Sequence, residues 1–183
     1  MNDMLNKIAE QQLRKAGWYP GRKIDIRDQI DFLKGNGYQI FDAGVKFLEE
    51  YGKLHIVDRY ISTFDNSLTE CHHTTFVNEI LECYSEYSEY EKFEFNLFGQ
   101  SKEKILPVIM FEDSDPIYIF ISEFGNFYCD SGLWADTVDV LWNERYHWGV
   151  EEPHGIVLNW NEYYAGEKRK FIPAANKISR KYL

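Results

Sequence analysis

"KAGWYPGR", residues 15–22, puts a helix end, a tryptophan, a Pro-Gly turn and an arginine into eight positions. Upstream of it, Leu5, Ile8, Ala9, Leu13 and Ala16 recur at helical spacing, which predicts an amphipathic helix over residues 3–16. Gly17 suits the left-handed position just past that helix. Pro20 presets one turn position and Gly21 tolerates the next. Trp18 is placed to plug the gap beneath the turn, and Arg22 to meet a carboxylate such as Asp25. Each residue has a packing or turning job and none is poised for chemistry. The stretch is fold punctuation.

Downstream, Ile26, Ile30 and Leu33 share a helical face, with Asp25 as the expected cap, Asp28 at the positive end and "GNG" (35–37) as the stop. Val45, Leu48 and Tyr51 predict a third short helix before Gly52. The period then changes. "LHIVDRYIS" (54–62) reads as a strand and "ECHHTTFV" (70–77) as a weaker one. Residues 77–92 return to helical spacing through Ile80, Tyr84, Tyr87 and Glu91. "ILPVIMFE" (105–112) and "PIYIFISE" (116–123) are nearly continuous apolar runs, as expected of strands covered on both faces. Gly125-Asn126 marks a hairpin. Val138, Leu141, Trp142 and Arg145 predict a last helix capped by Asp136, and "GIVLNW" (155–160) a further strand. Helices, then a strand meander, then a helix, make an α+β domain with a central, mainly antiparallel or mixed sheet flanked by helices.

The chain has 183 residues, 44% hydrophobic and 17% aromatic, which is enough for one ordinary core and too ordered a composition for a disordered chain. No apolar run approaches the ~20 residues of a membrane span, and the first residues lack the pattern of a secretory signal. Cys71, Cys83 and Cys129 are odd in number and widely spaced, as expected of free thiols in a cytoplasmic protein. The net charge is −10, with 30 acidic against 20 basic residues. Phosphate binding needs the opposite balance, so direct nucleic-acid binding is not expected. A basic protein partner fits the charge, as does simple solubility.

Catalytic signatures are scarce. "GNGYQI" lacks the third glycine of a dinucleotide loop, and neither a P-loop nor a G-x-S-x-G elbow occurs. Cys71 and His73 fall on one strand face, but a zinc site would need two more ligands, from Cys83, Cys129, His147 or His154, and no paired spacing supplies them. A fortuitous cluster explains them as well. No catalytic residue, metal or cofactor is expected.

Glu79, Glu82, Glu86 and Glu89 lie three, four and three residues apart and share a helical face. Like charges at this spacing repel by about 0.2–0.5 kcal/mol per pair. Tyr87 and Tyr90 border the stripe, and tyrosine favours interfaces because it offers large area with few rotors. Two readings compete: a docking surface for a basic partner, to which the Asp113/Asp115 turn between the two apolar strands would add, and a solvated face with tyrosines turned inward. Residues 167–183 carry six basic side chains and one acidic. That tail reads as a frayed terminus or as a clamp on the protein's own acidic surface or a partner.

The Ala-Gly-Trp helix end, Pro-Gly-Arg and nearby Asp resemble the N-terminal signature of the third family of the SUKH superfamily. "FLEEYGKL" (47–54) resembles its short helix and turn, while "LPV" (106–108) and "FISEFGNFYC" (120–129) resemble its Pro-containing strand and hairpin. Two departures stand out: Val-Ile replaces a glycine expected after Pro107, and residues 151–183 extend beyond the resemblance. A single domain over residues 1–150 is expected, with 151–183 as an extension, basic at its end. The resemblance implies a non-enzymatic bacterial immunity protein that neutralises a polymorphic or contact-dependent toxin, often a nuclease, by stoichiometric occlusion. The alternative is a regulatory or scaffolding module with an endogenous partner. The resemblance does not fix the toxin-binding surface.

Overall fold

The structure is a computed structural model, and it describes residues 5–62, 68–87, 103–112, 116–129, 132–146, 156–158 and 169–172. Three helices come first: α1 (Lys7–Lys15), α2 (Arg27–Gly35) and α3 (Asp42–Tyr51). Helix α1 starts at Lys7, later than the periodicity predicts. The Asn6 side chain sets the start by accepting from the backbone N–H groups of Ile8 and Ala9, at 3.0 and 2.9 Å. Its end is a Schellman motif. Trp18 N donates to Leu13 O and Gly17 N to Arg14 O, with Gly17 at φ 99°.

The chain then turns at Pro20-Gly21. Arg22 N donates to Tyr19 O at 3.1 Å and Gly21 has φ 71°, the left-handed value that the third residue of a type II turn requires. Trp18 is buried and stacks on Tyr51 of α3, with ring centroids 5.7 Å apart. Arg22 does not meet Asp25. Its Nη1 donates to the carbonyls of Glu50 and Gly52, at 2.9 and 2.8 Å, and so caps the C-terminal end of α3. A helix C-terminus presents unsatisfied carbonyls and partial negative charge, so it attracts a guanidinium as a carboxylate would. Asp25 instead pairs with Arg27 and accepts from its backbone N–H. The cap position of α2 is therefore Ile26, which has no side-chain bond to give.

Strands β1 (His55–Ser62) and β2 (Leu68–Thr74) pair antiparallel, from His55↔Thr74 to Ile61↔Leu68. Helix α4 (Val77–Tyr87) follows; the rest of the helical run expected to residue 92 lies outside the described residues. Then come β3 (Ile105–Phe111), β4 (Ile117–Ser122), β5 (Phe127–Cys129), β6 (Gly132–Ala135), α5 (Val138–Tyr146), β7 (Ile156–Leu158) and β8 (Arg169–Ile172). The sheet order is β6-β5-β4-β3-β2-β1-β8-β7, and every pairing is antiparallel. The domain is α+β. Pro107 sits where the β3–β4 register shifts, a bulge that accommodates its missing donor. Thr137, not Asp136, caps α5: its hydroxyl accepts from Val140 N at 3.2 Å, the reach of a residue directly before the first turn.

The core forms between one sheet face and helices α1, α3 and α5. Ile56, Cys71, Phe111, Ile119, Ile121 and Phe127 face Leu13, Phe47, Leu48, Leu141 and Trp142 in one buried cluster. A Cβ at Gly44 would stand 2.4 Å from Leu106 Cδ1, so α3 approaches β3 closely here and a side chain at 44 would require the buried Leu106 to shift. The β2–β3 joint is narrow, with Thr74↔Met110 as its register pair. Side chains reinforce it at Glu112, as described below.

Candidate functional site

Two constellations bear on function: the acidic face of α4 and a buried polar cluster. Helix α4 packs its apolar side on the sheet face opposite the core helices. Val77 and Ile80 are fully buried. Tyr84 meets Tyr118 and Phe120 edge-on, with centroids 5.1 and 5.8 Å apart. Glu79 and Glu82 are exposed on the same helix. Glu79 also has a local job: its carboxylate accepts from Thr74 Oγ1 at 2.5 Å, while that hydroxyl accepts from Phe76 N at 3.1 Å. It thereby ties the start of α4 to the end of β2. Glu86 and Tyr87 belong to the last turn of α4, but their side chains lie outside the described residues, as do Glu89, Tyr90, Asp113 and Asp115 altogether. Among the described side chains of this helix, Tyr84 packs against the sheet.

Cys71 and His73 do share the inward face of β2, and His73 does chemistry of a structural kind. Its Nδ1 accepts from Glu112 N at 3.0 Å. The ring proton is therefore assigned to Nε2, which faces Asp58 Oδ2 at 2.7 Å. Tyr146 OH donates to Asp58 Oδ1 at 3.0 Å. Arg145 Nη2 lies 3.5 Å from Asp58 Oδ2 and 2.9 Å from His73 Nε2, and its guanidinium carbon sits 4.9 Å from the centre of the Phe111 ring. Burial alone would raise the Asp58 pKa. The charge of Arg145, with hydrogen bonds from His73 and Tyr146, overcomes that and holds it below the usual carboxylate range.

All four side chains are sealed: His73 is 0% exposed, Asp58 and Tyr146 1%, and Arg145 2%. A histidine–aspartate pair of this geometry would suit proton transfer, but in this position it meets protein on every side. Its physical effect is to tie β1, β2 and α5 together, and through Glu112 the end of β3. Glu112 bonds twice across the narrow joint, since its carboxylate also accepts from His72 N at 2.7 Å. Asp58 and Tyr146 carried no signal in the sequence. Arg145 did: an arginine in register with Val138, Leu141 and Trp142 sits on an apolar face, and a buried cation needs an anion.

Among the described residues, no group of three or more histidine, cysteine, aspartate or glutamate side chains is placed to hold a metal ion. Nor is any described helix long and apolar enough to cross a membrane. None of the three cysteines is joined in a disulfide.

The family model of the SUKH-3 immunity proteins matches residues 5–144. No curated protein and no solved structure matches the chain.

Proposed function

Because the chain belongs to the SUKH-3 immunity protein family, we propose that it binds and neutralises a cognate bacterial toxin in the cytoplasm by stoichiometric occlusion, without catalysis of its own. The observation that carries this reading is the family match, which spans α1 to α5. The sealed state of Asp58 and His73 supports a binding role over a catalytic one, since the one acid–base pair of catalytic geometry described here has no route to a substrate.

The target is a basic toxin domain, of the kind that grips nucleic-acid phosphates. A net charge of −10 favours encounter with such a domain and disfavours direct contact with nucleic acid. The docking surface takes in the acidic side of α4 and the acidic run that follows it in sequence, Glu79, Glu82, Glu86 and Glu89 with Tyr87 and Tyr90, together with Asp113 and Asp115. Within it Glu82 is exposed, while Glu79 also ties the start of α4 to Thr74.

The test is a titration of the purified toxin domain with this protein. Toxin activity should fall to zero at equimolar protein. Charge reversal at Glu82 and Glu86 should slow association at least tenfold at low salt and flatten its salt dependence. Inhibition far below equimolar protein would point to catalysis and overturn the occlusion mechanism. Unchanged association by the reversed variant would move the docking surface away from α4.

A further inference from the structure

Strand β1 ends the sheet of the family-matched span, and what lies beyond it comes from outside that span. Residues 5–144 contain β1 to β6, in the order β6-β5-β4-β3-β2-β1. Strand β8 then pairs antiparallel with β1, Arg59↔Ile172 through Ser62↔Arg169, and β7 backs β8 from Ile156↔Phe171 to Leu158↔Arg169. Without β8, β1 would be an eight-residue edge strand, "HIVDRYIS", rich in β-branched and aromatic residues. Such an edge is a template for pairing with another chain.

We propose that β8, backed by β7, forms a strap, in cis, that occupies the β1 edge and keeps a second copy of this chain from pairing there. Three observations converge on it. The register is antiparallel and continuous over four pairs. Strand β8 carries Arg169 and Lys170 and pairs with a body that is strongly acidic, with eighteen acidic and five basic residues between positions 55 and 146. Twenty-two residues separate the end of α5 from β8, and an intramolecular tether of that length gives an effective concentration on the order of millimolar. A second copy at cellular concentration competes poorly with that. The pairing begins at Arg59, one residue past Asp58, so the strap meets β1 where the buried cluster has already fixed it. The inference stands apart from the proposed toxin-binding role.

Hydrogen exchange on the full chain tests it. Successive residues of an antiparallel strand aim their N–H groups alternately at the two neighbours. If β8 covers β1, the consecutive amides of Arg59, Tyr60 and Ile61 all exchange slowly and the protein is monomeric by light scattering. An alternating slow–fast pattern, or a wild-type dimer, overturns the proposal and needs no variant. A chain carrying both Lys170→Pro and Phe171→Pro loses one donor toward β1 and one toward β7. It should show faster exchange at alternate β1 amides and a dimer that grows with concentration. Unchanged β1 protection in that variant would overturn the strap, and an opened edge that stays monomeric would overturn its role in excluding a second copy.

Discussion

His73 Nε2 and Asp58 Oδ2 stand 2.7 Å apart on neighbouring strands, both out of reach of solvent. The pair joins elements far apart in sequence. Through Glu112 N it reaches β3, and through Arg145 and Tyr146 it reaches α5. It lies beside the narrow β2–β3 joint, so the polar cluster reinforces the sheet where its own ladder is short.

Removing the anion should therefore be costly. Asp58→Asn leaves the Arg145 charge buried without the carboxylate it faces, and the expected loss is about 3–5 kcal/mol of unfolding free energy in urea titration. A triple variant, Asp58→Leu with His73→Phe and Arg145→Met, removes the charges together and should lose less than Asp58→Asn alone. If the single substitution costs under about 1 kcal/mol, the cluster does not bear on stability as described.

The same group sets an acid limit. The folded-state pKa of Asp58 is depressed below its unfolded value, so the folded chain binds that proton less readily than the unfolded chain. Its contribution is complete above the unfolded value of about 4 and is lost as pH falls through the lower folded value. Unfolding free energy measured against pH should decline below about pH 4. The decline should be shallower in Asp58→Asn, which has no proton to take up at that site.

The signature stretch makes a separable prediction. Arg22→Met keeps the buried stem but strips two donors from the carbonyls that end α3. Loss of hydrogen bonds from a charged donor predicts a destabilisation of about 2 kcal/mol, read by thermal or urea unfolding. Toxin binding by the folded fraction should be unchanged, because the stretch shapes the fold and stands apart from the proposed docking face. A binding defect larger than the unfolded fraction explains would contradict that division.

Glycine 52 offers a sharper steric test. A Cβ there would lie 2.4 Å from Leu48 O and 2.8 Å from Gln29 Nε2. Backbone cannot yield as a flexible side chain does, so Gly52→Ala should lower the melting temperature by several degrees, on the order of 2 kcal/mol. A wild-type melting curve would show that the turn after α3 relaxes freely.

Much of the fold was legible because it depends on local patterns. Gly17 and the Pro20-Gly21 turn need particular backbone angles, and the two apolar runs that became β3 and β4 are buried as their composition implied. Cap and ion-pair partners were less legible. Arg22 chose carbonyls 28 and 30 residues away over the carboxylate three residues on, and Thr137 outcompeted Asp136 for α5. Such choices depend on where elements dock, which spacing does not encode. Part of the basic segment, read as a frayed terminus or as a clamp on the protein's own surface or a partner, supplies a strand at Arg169–Ile172; spacing could not show this because its partner β1 lies more than 100 residues earlier. The buried cluster was hidden for the same reason: Asp58, His73 and Arg145 come from three elements, and only the misplaced-looking arginine hinted at it. On α4, spacing correctly put Glu79 and Glu82 on the exposed side, but it could not foresee that Thr74 would engage Glu79.

The most direct test of the central claim is co-expression with the toxin domain encoded beside this gene, scoring survival and isolating the complex. The account predicts rescue of growth and a stable one-to-one complex that copurifies with the toxin's activity suppressed. Failure to rescue, or rescue with no complex between the two proteins, would contradict it.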